Sequence, residues 1–286
     1  MNGERNGKGK TFYDNGILKF EGEYLNDKKN GKGKEYYDNG VLLYEGEYKD
    51  DNKWNGKGYD RNKNIIYELN DGNGKTREYY DNGELKFEGE YLNGERNGKG
   101  KEYYDNGELK YEGEYLDGKY DGYGKEYYNN GQILYEGKWL NGEANGKGKE
   151  CNRNGDFIFE GEYKNNKRYF GKIKEYYDNG NLLFEGELIN GNWNGEGKEY
   201  YDNGELKYEG EYINGERNGE GKEYYDNGEL KYEGEYINGK WNGEGKEYNE
   251  DGYIIHEGEY LNGKWNDENE NKSENEYDDD YDFFTF

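Results

Sequence analysis

Aromatic and aliphatic residues recur along the chain in short alternating bursts, never in long runs. Around Gly107 the order is Tyr103-Tyr104, then Leu109, Tyr111, Tyr115 and Leu116, with charge or glycine between them. Apolar positions spaced by two predict β-strands with one ring-bearing face. The bursts break at Asn-Gly steps, which predict tight turns. The same wording returns with its turn glycine at Gly16, Gly40, Gly83, Gly107, Gly131, Gly155, Gly180, Gly204, Gly228 and Gly252, mostly 24 residues apart. A fixed period predicts a repeat architecture in which each unit covers its neighbour.

Taking Asn106-Gly107 as a type I′ turn fixes a pairing by counting outward. Tyr104 then faces Leu109, Glu102 faces Tyr111, Gly100 faces Gly113 and Gly98 faces Tyr115. The other face pairs Tyr103 with Lys110, Lys101 with Glu112, and Lys99 with Glu114. A one-residue slip would undo this sorting into an aromatic-and-glycine face and a charged face. The segment Asn93-Gly94-Glu95-Arg96-Asn97-Gly98 is read as a longer return loop. The expected fold is all-β: an elongated, twisted, single-layer antiparallel sheet of tandem hairpins. It has about 22 strands in about 11 units.

Two irregularities stand out. The gap from Gly40 to Gly83 is 43, and the third unit, near residues 59–75 with its degenerate turn at Asn62-Lys63, has lost its Glu-Gly-Glu-Tyr element. One extra residue falls between Gly155 and Gly180, in the stretch from Tyr163 to Phe170. Each predicts a bulge, a kink or a boundary between two stacks. The repeat array is assigned to residues 1–265. Residues 266–286 are read as an acidic tail, expected to be disordered, with nine acidic residues and one lysine after Asn266.

Composition narrows the function. The formal charge is −26, which repels nucleic acid and anionic membranes. No apolar run approaches the roughly 18 residues of a membrane helix, and no signal segment is visible, so a cytoplasmic location is expected. Aliphatic residues are scarce, while 37 tyrosines supply most of the apolar surface.

The segment Tyr111-Glu112-Gly113-Glu114-Tyr115-Leu116-Asp117-Gly118 with Gly122-Tyr123-Gly124 resembles a MORN repeat, whose pattern is Tyr-x-Gly-x-Trp/Tyr, Asn-Gly, then Gly-x-Gly. Tyr208 to Gly215 with Gly219-Glu220-Gly221 resembles it equally. The resemblance spans about residues 3–265. The 24-residue spacing is most similar to a bacterial and protist variant, some members of which are antitoxin-like. It implies a scaffold, dimerisation module or tether, and in some relatives phospholipid binding.

The candidate partner-binding residues are Tyr104, Tyr111, Tyr115, Tyr201, Tyr208, Tyr212, Tyr225, Tyr232 and Tyr236, read as a partly exposed groove. Trp54, Trp193, Trp241 and Trp265 are added as one equivalent loop position, occupied by Arg5, Arg96 and Arg217 in other copies. Trp and Arg are enriched at binding hot spots. The alternative is that both sets merely cover one another. His256 and Cys151 replace tyrosines four repeats apart, too distant for a nucleophilic or metal site. The sole serine, Ser273, lies in the tail. The carboxylates read as solvated and lysine-paired, the Asp-Asn-Gly turns lack calcium-loop spacing, and the Gly-x-Gly steps lack a strand-to-helix context.

The sequence therefore predicts a non-catalytic scaffold or adaptor for other proteins, without cofactor or metal. Self-association through free sheet edges is a further expectation. The rivals are an antitoxin-like protein that neutralises a toxin and a phospholipid- or carbohydrate-binding repeat.

Overall fold

In a computed structural model the described residues, 4–266, form strands and turns only. Each strand pairs antiparallel with its chain neighbours, giving open sheets of consecutive hairpins. The chain divides into two compact units, with the division after Lys167. It falls inside the irregular stretch from Tyr163 to Phe170.

In the first unit β1 (Gly7–Phe12), β2 (Leu18–Leu25), β3 (Lys28–Tyr36), β4 (Leu42–Lys49), β5 (Asn52–Tyr59) and β6 (Ile65–Leu69) make one sheet. A second begins with β7 (Gly74–Tyr79), β8 (Leu85–Leu92), β9 (Glu95–Tyr103) and β10 (Leu109–Leu116) and continues hairpin by hairpin to Phe157–Lys164. The second unit repeats the pattern, with strands from Leu182–Ile189 to Ile254–Leu261 and a short final strand, Lys264–Trp265.

The predicted register holds through the hairpin body: Tyr111 faces Glu102, Gly113 faces Gly100, Glu112 faces Lys101, Glu114 faces Lys99 and Tyr115 faces Gly98. The turn chemistry differs. Tyr103, not Tyr104, faces Leu109, with a bulge before Tyr111 that takes Lys110 out of the pairing. Asn106-Gly107 is not a type I′ turn: Gly107 N–H donates to Tyr104 O, Tyr104 N–H donates to Glu108 O, and only Gly107 has positive φ. The two-residue turn with both φ positive is Asn93-Gly94, with equivalents such as Asp117-Gly118 and Asn214-Gly215. Strand β9 therefore resumes at Glu95, where a long loop was expected. The Asn-Gly dipeptide alone does not distinguish the two turns.

The third unit is shortened rather than lost. Its turn keeps Lys63 at φ 67° where other units have glycine. Strands β6 and β7 have five and six residues, and between them only Asn70 and Asn73 bridge. The two sheets of the first unit part there, so this is a boundary between stacks. Tyr37 meets Tyr79 edge-on at 5.3 Å and Lys19 reaches Asp81 at 2.6 Å across the break.

The core is a column of rings over paired glycines. In the first unit Phe87, Tyr115, Tyr111, Trp139, Tyr135, Tyr163 and Phe159 meet edge-to-face in sequence at 5.0–5.8 Å. In the second, Phe184, Tyr212, Tyr208, Tyr236, Tyr232 and Tyr260 do the same at 5.2–5.4 Å. Each contact contributes about 0.5–1.5 kcal/mol beyond the burial itself. A Cβ on Gly113 would lie 2.5 Å from the Tyr111 hydroxyl and 2.6 Å from Gly124 Cα. The bare backbone is what lets the ring lie flat against the sheet.

Candidate interaction surface

The expected half-open tyrosine groove is corrected by this packing. Tyr111, Tyr208 and Tyr232 are 0% exposed, and Tyr115, Tyr212 and Tyr236 are at most 3% exposed. A partner cannot reach these rings while the chain stays folded. Tyr104, Tyr201 and Tyr225 are half-buried at the four-residue turns, where their hydroxyls donate to the backbone oxygens of Tyr127, Tyr224 and Tyr248 in the next hairpin at 2.7–2.8 Å. They tie one hairpin to the next.

The Trp/Arg position lies over the column. Trp193 stacks on Phe184 at 3.9 Å and Trp241 on Tyr232 at 4.4 Å. Arg96 lies over Phe87 at 4.2 Å and Arg217 over Tyr208 at 4.3 Å. Tyr120 fills the same place, stacked on Tyr111 at 3.6 Å. Trp265 stacks on His256 at 4.4 Å and remains 40% exposed. These groups extend and cover the ring face, as the alternative reading had it.

Trp54 is not their equivalent. Lys53 faces Tyr48, as Trp241 faces Tyr236, while Trp54 sits one residue on at a bulge, under the Lys49 ammonium. The sequence alignment had slipped by one because β5 is a residue short.

Sequence reasoning missed the carboxylates beneath Arg96, Arg217 and Trp241. Glu78 accepts from Arg96 and Tyr91; Glu199 from Arg217 and Lys207; Glu223 from Trp241, Tyr236 and Lys231. Burial alone would raise Glu78 and Glu199, but these donors hold both below the usual carboxylate range. Glu126 lies in the unit where Ala144 takes the covering place; burial raises its pKa, with no arginine to oppose it. At the sheet break, Lys29 and Lys53 both bind Glu35 at 2.9 Å. Burial there acts to raise Glu35, and the two ammoniums outweigh it, holding the group at about 2. A cavity of about 280 Å³ opens beside them, lined by Tyr13, Tyr37, Tyr79 and Tyr80. Three of its carboxylates are ion-paired, Asp81 with Lys19, Asp38 with Arg61 and Glu78 with Arg96, and Asp51 accepts from the Lys29 backbone N–H. Of these ion pairs Lys19–Asp81 is the one that crosses from one sheet to the other.

The opposite face is open. In the first unit a row joins Lys101 to Glu112 at 3.5 Å and Lys125 to Glu136 at 3.2 Å, and in the second Lys198 joins Glu209 at 3.2 Å. Tyr127 and Tyr224 hydroxyls donate to Glu112 and Glu209. The same face carries a feature that sequence reasoning passed over. The residue before each type I′ turn is aliphatic and solvent-exposed: Leu25, Leu92, Leu116 and Leu140 in the first unit, Ile189, Ile213, Ile237 and Leu261 in the second, 39–58% exposed. Lys49 and Lys164 interrupt the row. The signal was present as a 24-residue recurrence of Leu or Ile on the charged side of the alternation.

Among the described residues no group of three or more His, Cys, Asp or Glu is arranged to hold a metal ion, and no helix is long and apolar enough to cross a membrane. The acidic tail assigned to residues 266–286 lies outside the described residues from residue 267 onward.

No curated protein matches the chain. Among solved structures, a TcdB2-TccC3 assembly without its hypervariable C-terminal region is 11% identical with a TM-score of 0.19, covering 86% of this chain and 14% of that one. A TcdB2-TccC3-Cdc42 structure is 10% identical with a TM-score of 0.17, covering 89% of this chain and 13% of that one. This chain thus spans about a seventh of those chains. The MORN repeat matches at residues 20–41, 87–108, 111–133, 135–157, 208–229 and 232–252, and the MORN repeat variant at 5–26, 73–93, 171–190 and 193–214, together more than half of the chain. The chain belongs to the MORN-repeat family, whose repeats are generally protein- or membrane-interaction repeats.

Proposed function

We propose that the chain is a non-catalytic scaffold or adaptor that engages other proteins through the outer face of its hairpins. The observation that carries this is the recurrence of exposed aliphatic residues, one in each of eight hairpins, on the face opposite the buried rings. Exposed apolar groups repeated in register are a feature of interaction surfaces. The rings, by contrast, are used up in holding the sheet. Net charge of −26 favours a protein partner over an anionic bilayer.

The test is affinity capture from the native cell with three versions of the chain: unchanged, Leu92, Leu116 and Leu140 all to Ser, and Ile189, Ile213 and Ile237 all to Ser. These side chains are exposed, so the fold is expected to survive. Loss of captured partners with either serine set supports the reading. Identical partners with all three versions, or no specific partner at all, contradicts it.

A further inference from the structure

We infer that residues 168–266 present a docking face for a basic amphipathic helix of a partner protein, an inference that rests on the interaction reading above. Three consecutive hairpins of the second unit depart from the first unit's commonest pattern by one residue each, while the hairpin before them keeps Lys172 opposite Glu187. Gly-Lys-Gly at 31–33, 98–100 and 146–148 becomes Gly-Glu-Gly at 195–197, 219–221 and 243–245. In the first unit this puts lysine opposite glutamate: Lys32 faces Glu47, Lys75 faces Glu90 and Lys99 faces Glu114. In the second unit Glu196 faces Glu211, Glu220 faces Glu235 and Glu244 faces Glu259.

All six carboxylates are exposed, and none makes an ion pair among the described residues. Like charges directly opposite destabilise a sheet. Three consecutive pairs of this kind form a continuous acidic ladder, and the neighbouring Lys198, Lys222 and Lys246 are engaged with Glu209, Glu233 and Glu257 instead. The aliphatic row runs beside it on the same face, because Ile213 follows Glu211 and Ile237 follows Glu235 by two residues. A partner matched to both rows carries apolar groups along one line and cations along the next.

The spacing selects a helix. Aliphatic residues on every second strand lie about 9.6 Å apart along the row, from a strand separation of about 4.8 Å. A helix laid across the strands advances about 10.5 Å per seven residues. Four contacts, from Ile189 to Leu261, then take about three heptads. An extended strand in the same place repeats its side chains about every 6.8 Å, out of step with the row. The complementary segment has Leu or Ile at heptad spacing, flanked by a stripe of Lys or Arg.

The probe is a designed helical peptide of about three heptads, with leucines at heptad spacing and a lysine stripe, titrated into the full chain at physiological salt by fluorescence anisotropy. Its twin has the lysines replaced by glutamate. The lysine peptide is expected to bind and the twin to fail. The variant E196K/E220K/E244K restores the first unit's pattern and is expected to weaken binding about tenfold or more, a change of about 1.4 kcal/mol. The variant E95K/E108K/E143K makes the same charge change on exposed first-unit residues and is expected to leave affinity within about twofold. Ile213→Ser with Ile237→Ser is expected to weaken binding independently of salt. Equal weakening by the two lysine sets, indifference to the isoleucines, or absence of binding overturns the docking face. If it is overturned while native partners are still captured and lost with the Leu92, Leu116 and Leu140 serines, the broader interaction reading stands.

Discussion

The two units are built on one interior and two exteriors. Phe87-Tyr115-Tyr111 in the first and Phe184-Tyr212-Tyr208 in the second pack with the same edge-to-face spacing over the same paired glycines. The outer rows differ: lysine faces glutamate at Lys32, Lys75 and Lys99 of the first unit, whereas glutamate faces glutamate in three consecutive hairpins of the second. The first unit also contains the sheet break with its half-buried Lys29–Glu35–Lys53 cluster. The interior tolerates little variation because every ring is a neighbour's lid. The exterior varies at no cost to that packing, so differences between otherwise equal hairpins are where partner choice can be written.

If the interiors are equivalent, Tyr111→Ala and Tyr208→Ala should each cost about 3–5 kcal/mol and to a similar extent. Denaturant unfolding followed by unit-resolved hydrogen exchange checks this. A much smaller loss in either unit would break the comparison. Lys53→Ala should cost on the order of 3 kcal/mol, because it leaves Glu35 buried with one cation where there were two. Exchange protection should fall around the break and stay unchanged in residues 168–266.

Acid should act on the same place. The folded pKa of Glu35, at about 2, lies below its ordinary value of 4.5. The unfolded chain therefore takes up a proton first. The stabilisation is full above about pH 4.5 and is lost as pH falls from there towards 2. Exchange measured across this window should show the break opening before the central hairpins of the second unit. Simultaneous loss would argue against a specific role for Glu35.

A smaller effect of opposite sign is expected from E196K/E220K/E244K. Replacing three like-charge pairs with Lys–Glu pairs should stabilise the second unit by about 0.2–1 kcal/mol per pair, less in high salt. The mirrored change K32E/K75E/K99E should destabilise the first unit comparably. Thermal unfolding at two salt concentrations reads both.

Alternation and charge pairing revealed the hairpin body, because a two-residue period and the Lys101–Glu112 match leave one register. The turns were assigned the wrong way round. Asn106-Gly107 and Asn93-Gly94 share a dipeptide, and only the hydrogen bond from Tyr104 N–H to Glu108 O separates a four-residue loop from a two-residue one. The face was legible but its exposure was not. A tyrosine column in a one-layer sheet is buried by stacked Trp, Arg and Tyr from the next strand, and that depends on contacts between neighbouring hairpins. Trp54 was misplaced because β5 is a residue short, which no single repeat reveals. The exposed Leu and Ile positions recur every 24 residues on the charged side of the alternation, but a period alone does not say that a side chain is exposed.

The central claim is that the rings are interior and the aliphatic row is the surface. Hydroxyl-radical footprinting of the whole chain, normalised to the unfolded chain residue by residue, tests it directly. The account predicts strong labelling at Leu116, Ile213 and Ile237 and protection at Tyr111, Tyr208 and Tyr232. Labelled tyrosines beside protected aliphatics would contradict it.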